Sequence, residues 1–229
     1  MASEDRVAEY WVGKKPEGVS ACPDVSLFRF IGNLGIQLQS QRVLEIGFGG
    51  NRAADLLEMQ KRGSDVFGTD MNSEYFSDVD SIDPRSLSVS RAGVDALPFT
   101  VDFKLIYSRD VIYYLTDSEL EFFFNDCYRV LQSDGTLVLQ FIECDIEIDV
   151  PNKERRFEEG FFSGLKQIKI FPEDNPVRFL VPGNVILEGE KAGFRIAGSK
   201  RLIQSYDAIE SRFRVDKYVA FTKRRRHPA

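Results

Sequence analysis

The chain has 229 residues, of which 43% are hydrophobic and 29% charged, and no apolar run approaches the ~18 residues of a membrane span, so an ordinary globular protein with no membrane partner is expected. Acidic residues outnumber basic ones and leave a net charge of −6, which opposes binding along a polyphosphate backbone, so nucleic acid is not an expected partner. Cys22, Cys127 and Cys144 cannot all pair and show no CxxC spacing, and "MASEDRVAEYW" lacks the basic start and apolar core of a secretory signal. A cytoplasmic location is the expectation.

In chain order, residues 1–40 read as a helical cap, with "AEYWVG" and "DVSLFRFIGNLGIQL" as helices laid across the top of a sheet. "RVLEIG" is a short strand ended by glycine, "NRAADLLEMQKRG" a helix closed by Gly63, and "DVFGTDMN" a strand ending at Asp70. "VDFKLIYSRD" gives a further strand. "DSELEFFFNDCYRVLQSDG" is a helix capped at Asp117 with "EFFF" as core packing, and "GTLVLQFIECD" is the strand after it. Residues 146–182 fit no single period and read as an insertion on the substrate side. "NPVRFLVPGNVILEGEKAGF" reads as a helix broken near Pro182, and "RIAGSKRLIQ" and "RVDKYVAFTK" as a terminal antiparallel pair.

Strands alternating with helices imply right-handed βαβ units. The expected fold is α/β, a Rossmann-like doubly wound, mostly parallel sheet with a terminal antiparallel pair. No linker divides the chain, so one domain is expected. Its parts are the cap, a core at 41–145, the insertion, a helix and strand pair at 183–222, and a basic tail at 223–229.

"VLEIGFGGNRAADLL" places Gly47, Gly49 and Gly50 where a parallel strand turns into a helix and a ligand approaches the backbone. A pyrophosphate-binding GxGxxG turn has a third glycine where this chain has Arg52. Asp70 ends the next strand near the ~20-residue offset at which a carboxylate accepts ribose hydroxyls. Together they point to a nucleoside-bearing cofactor.

Four motifs carry a resemblance to the class I S-adenosylmethionine-dependent methyltransferases of the small-molecule type: "LEIGFGG", "FGTDMN", "GVDALPF", and "FKLIYSRDVIYYL" followed by "YRVLQSDGTLVL". The resemblance implies S-adenosylmethionine as cofactor. It implies that Gly47, Phe48, Gly49 and Gly50 lie against the cofactor, that Glu45 orients the turn and the methionine ammonium, and that Asp70 holds the ribose. It further implies that Asp95 and Ala96 meet adenine, that Met71 and Leu97 sandwich the ring, and that Ser108 lines the site. The cofactor has no phosphates, so the missing third glycine agrees with it.

The chain departs from that family at Lys104, where an aspartate is common, at Tyr113 and Tyr114, where many members have Glu-His, and at "SDG", usually Pro-Gly-Gly. Loss of the Glu-His pair removes a candidate base, and the one histidine, His227, lies in the tail. A sulfonium methyl is already activated, so transfer needs mainly positioning at ~3–3.5 Å and a dry pocket. Asp110, Tyr113 and Tyr114 follow the strand end where such sheets place substrates, and are the candidate catalytic residues. Tyr10 and Trp11 from the cap, and Glu143 and Asp145 from the alternating "IECDIEIDV", are candidate substrate contacts. No metal site is expected from that acidic face, because same-face residues of a strand diverge by ~6–7 Å.

The resulting expectation is methyl transfer to an oxygen or nitrogen of a small polar metabolite, with no expectation for oligomeric state. A non-catalytic cofactor-binding partner protein is an alternative, motivated by the lost Glu-His pair. A nicotinamide-dependent oxidoreductase is another, against which Arg52 and the lack of a Tyr-x-x-x-Lys pair count.

Overall fold

Strand β1 (Arg42–Ile46) is buried from Val43 onward, which is what a central parallel strand requires when helices cover both faces of its sheet. The computed structural model describes residues 22–51, 53–142, 157–158, 167–168, 180–207 and 212–223. Strands β2 (Asp65–Asp70) and β4 (Phe103–Arg109) flank β1 in parallel, with Val43 opposite Val66 on one side and Leu105 on the other. A short β3 (Leu87–Val89) adds to β2, and β5 (Leu131–Ile142) adds to β4, both parallel.

Strands β8 (Phe194–Asp207) and β9 (Arg212–Lys223) are the antiparallel pair expected from sequence, and β9 runs antiparallel to β5 as well. The seven strands stand in the order β3-β2-β1-β4-β5-β9-β8. Between them, β6 (Phe157–Glu158) and β7 (Gln167–Ile168) pair separately, inside the stretch that showed no period. This is the doubly wound, mostly parallel fold that the sequence implied. The order reverses between β1 and β4, and a crevice opens at the carboxyl ends of strands at such a point.

Alternation along the strands divides the core in two. Val43, Leu105, Tyr107, Val138, Tyr218 and Ala220 pack on one face beneath α1 (Val25–Asn33) and α2 (Ala54–Lys61). Leu44, Ile46, Ile106, Leu139, Val219 and Phe221 pack on the other beneath α3 (Asp117–Val130) and α4 (Pro182–Lys191). Helix α1 buries Leu27, Phe30 and Ile31, the i, i+3, i+4 stripe of an amphipathic helix, and sets Phe30 5.9 Å from the Tyr218 ring. It therefore covers a face of the sheet, while its capping residue Asp24 reaches the carboxyl edge.

Three local readings change. Helix α3 is capped by Thr116, not Asp117: the Thr116 hydroxyl accepts the Glu119 N–H and the Glu119 carboxylate accepts the Thr116 N–H. Pro182 starts α4 instead of breaking it, since the first helical position needs no N–H donor. Of "EFFF", Phe123 and Phe124 are core, but Phe122 is 40% exposed.

Candidate functional site

All five parallel strands end at one edge, so the turn after β1, Asp70 at the end of β2 and Asp110 just past β4 converge there. Gly47 has φ +81°, and a Cβ built on it would lie 2.2 Å from the Val111 side chain; only glycine fits this crossing of two turns. Gly49 packs against the Tyr75 ring, 1.9 Å from where a Cβ would stand. Phe48 turns its side chain into the core, 5.4 Å from the Phe76 ring, so only its backbone belongs to the turn. Gly50 lies in the 3-10 helix Phe48–Asn51 that continues the turn.

The Asp70 carboxylate is 8% exposed and accepts the Gly49 N–H through one oxygen and the Asn72 N–H through the other, both at 2.9 Å. A carboxylate has about four acceptor sites, so capacity for a further hydroxyl donor remains. Burial raises its pKa against the opposing N–H donors of Asn72, Gly49 and Met71. Met71 is half-buried beside it. Ser108 is buried, and its hydroxyl donates to the Ile46 carbonyl at 3.1 Å, so it ties β4 to β1 beneath the turn.

The "GVDALPF" loop is held by α3 in a way the sequence reading missed. The Leu97 N–H donates to Asp126, Arg129 donates to the Leu97 carbonyl at 2.8 Å, and Arg129 also pairs with Asp126. At the other end of the loop, Arg91 pairs with Glu119 at 3.0 Å. Asp95 and Ala96 are exposed between these anchors, and Asp95 accepts the Arg91 N–H at 2.8 Å. A cavity of about 10 Å³ separates the loop and Ile46 from Phe122 and Phe123. The i, i+3 spacing of Asp126 and Arg129 was the available signal.

Glu45 is 1% exposed, and its Oε2 has no hydrogen-bond partner among the described residues. Burial first, then the charge of Asp55, pushes its pKa up to about 8. Asp55 opens α2 from inside the protein, where a pyrophosphate-binding fold presents only N–H groups. A second buried acid at that helix end disfavours an anion and favours a cation.

Asp110 is half-buried at φ +57°, with its N–H held by the Gln140 side chain at 3.0 Å. Tyr113 is buried in the core, and Tyr114 lies partly exposed with its ring 4.6 Å from that of Tyr113. The edge thus brings together Gly47, Gly49, Asp70 and Asp110. Tyr10, Trp11, Glu143 and Asp145 lie outside the described residues. Among the described residues no group of three or more candidate ligands could hold a metal ion, and no helix is long and apolar enough to cross a membrane.

The residues fit S-adenosylmethionine: a carboxylate with acceptor capacity for the ribose at Asp70, a buried carboxyl at Glu45 with its Oε2 unpartnered among the described residues for an ammonium, and an acidic helix start that suits no phosphate. Residues 44–139 match the family described as methyltransferase domain, while a search of curated proteins finds no match. Among solved structures, the chain is similar to an S-adenosylmethionine-dependent methyltransferase from Methanosarcina mazei (TM-score 0.65, 17% identity, covering 86% of this chain and 98% of that one). It is similar to the magnesium protoporphyrin IX methyltransferase of Synechocystis PCC 6803 with bound S-adenosylhomocysteine (TM-score 0.58, 11% identity, 86% and 80%). A third is the glycopeptide N-methyltransferase MtfA complexed with S-adenosylmethionine (TM-score 0.60, 14% identity, 92% and 99%). That match, set on this strand order and this glycine turn, marks residues 44–139 as a methyltransferase domain, and the chain shares the fold of the S-adenosylmethionine-dependent methyltransferases it resembles.

Proposed function

We propose that the protein methylates an oxygen or nitrogen of a small polar metabolite in the cytoplasm, with Asp110 on the acceptor side. The observation that carries this reading is the backbone of Asp110. A non-glycine residue at φ +57° costs ~1–3 kcal/mol, and strain of that kind persists where the surroundings over-determine it and clusters at functional sites. Here the Gln140 side chain and carbonyl both accept the Asp110 N–H, and Val111 locks against Gly47. The backbone of Asp110 is thereby held at the reversal of strand order.

S-adenosylmethionine supplies an electrophilic methyl group when bound. Asp70 would hold its ribose, Glu45 its ammonium, and the Asp95–Leu97 loop its adenine. On the other side, Asp110 accepts the proton of a hydroxyl acceptor or orients an amine, and Tyr114 lines the approach. Tyr10, Trp11, Glu143 and Asp145 would complete the acceptor pocket from the cap and the insertion. The net charge of −6 and the methyltransferases of comparable fold that act on a glycopeptide and a porphyrin support a small-molecule acceptor over a nucleic acid.

Release of S-adenosylhomocysteine in the presence of candidate alcohols and amines tests the reading. With an acceptor in hand, Asp110→Asn is expected to lower kcat by ~10²–10⁴-fold for a hydroxyl while cofactor affinity stays within about twofold. Undiminished turnover would remove Asp110 from the acceptor side.

A further inference from the structure

Glu45 sits within a group of ionisable side chains buried under α1 and α2. Asp55 faces it from α2, Tyr107 and Arg109 from β4, and Asp70 from β2. One contact further out stand Asp24, which caps α1, and Tyr218 of β9, with the Gln140–Asp216 pair of β5 and β9 on the same face. The guanidinium of Arg109 lies 3.2 Å from Asp55 Oδ2 and 3.7 Å from Asp24 Oδ2, so one positive charge serves two carboxylates. Asp55 Oδ1 accepts the Asp24 N–H at 2.6 Å, and Asp24 accepts the Tyr218 hydroxyl at 2.6 Å.

Arg109 is thus engaged away from Glu45. Tyr107 lies beside Glu45 as a dipole, not a charge. Among the described residues, an ionised Glu45 would add a negative charge beside those of Asp55 and Asp24, for which the Arg109 guanidinium is the shared counter-charge. The elevated affinity of Glu45 for its proton follows from this crowding as well as from burial.

We propose that cofactor uptake is proton-coupled: the α-ammonium of the methionine end takes the place of a proton that Glu45 holds, and Arg109 and Asp55 are positioning residues that set how tightly it is held. The inference rests on the assignment of Glu45 to that ammonium. The charges balance without any other reagent. A neutral Glu45 carboxyl and an ammonium become a carboxylate–ammonium pair, and the proton passes to solvent.

Calorimetric titration of the full chain with S-adenosylhomocysteine at pH 7, repeated in phosphate and in Tris, counts the proton through the difference in buffer ionisation enthalpy. Release of close to one proton per cofactor is expected, with Kd falling close to tenfold per unit between about pH 6 and 7.5. Asp55→Asn keeps an acceptor for the Asp24 N–H but removes a charge, and is expected to bind with a smaller proton release and a flatter pH slope. Glu45→Gln is expected to bind at least about tenfold more weakly, with no proton release. Wild-type binding without net proton exchange, beside a weakened Glu45→Gln, overturns the coupling and leaves the Glu45 contact standing. Undiminished affinity of Glu45→Gln overturns the contact and the coupling together. If Asp55→Asn does not fold, the wild-type proton count alone decides.

Discussion

A carboxyl group that keeps its proton in the folded chain but loses it readily in the unfolded one makes stability depend on pH in a definite direction. For Glu45 the folded value of about 8 lies above the ordinary 4.5, so its contribution is complete below about 4.5 and drains away as pH rises toward 8. Asp55 and Asp70, whose values burial also raises, act in the same direction. At full ionisation the Glu45 contribution is at most ~5 kcal/mol. The cofactor-free protein is therefore expected to melt at a lower temperature at pH 8 than at pH 6, and Glu45→Gln to raise the pH 8 melting temperature by at least ~5 °C. Thermal unfolding followed by circular dichroism checks this, and a variant that melts no higher than wild type at pH 8 would refute it. The residues of the turn were legible because a strand, a glycine pair and a distant aspartate form a linear pattern. Asp55 and Arg109 were not, because charged residues in a short helix and at a strand end read as solvent-facing until the fold turns them inward.

At the scale of elements, the Asp95–Leu97 loop, proposed to meet adenine, depends on α3. Asp126 and Arg129 grip the backbone of Leu97 by its N–H and carbonyl, and Arg91 fixes the other end to Glu119. Asp126→Ala leaves the Leu97 N–H and the Arg129 guanidinium short of a partner, at a cost of ~1–3 kcal/mol. Because that cost falls on the loop, affinity for S-adenosylhomocysteine is expected to drop by at least about fivefold by calorimetry, with the far-ultraviolet circular dichroism unchanged. Unchanged affinity would show that the grip is structural only. Long periodic elements such as α3 were legible, though its cap fell one residue early, because Thr116 and Asp117 both suit that place. The three-residue β3 was not: an edge strand with Val89 exposed carries no alternation to find. Pro182 misled because its effect depends on whether a helix has begun.

For the whole molecule, four of the five parallel strands and the terminal pair were legible from the alternation of strand and helix, whereas their lateral order was not, since it lies in contacts between residues far apart. The order predicts a gradient of local stability. Strands β1, β4 and β5 are paired on both sides and covered on both faces, while β3 and β8 are edges. Amide hydrogen exchange is expected to be slowest over 43–46, 105–108 and 137–141 and fastest, among the strands, over 87–89. Comparable protection in β3 and β1 would contradict it. The same order bears on how the chain acquires its fold during synthesis. The latest strand to be made, β9, lies inside the sheet between β5 and β8, and contributes Tyr218, Val219, Ala220 and Phe221 to both halves of the core. Until it emerges, β5 is an open edge flanked by bare apolar faces, and β8 has no neighbour to pair with. The nascent protein therefore passes through a long interval in which most of its residues are present but its sheet cannot close, and in that interval it depends on chaperones or on speed to escape aggregation.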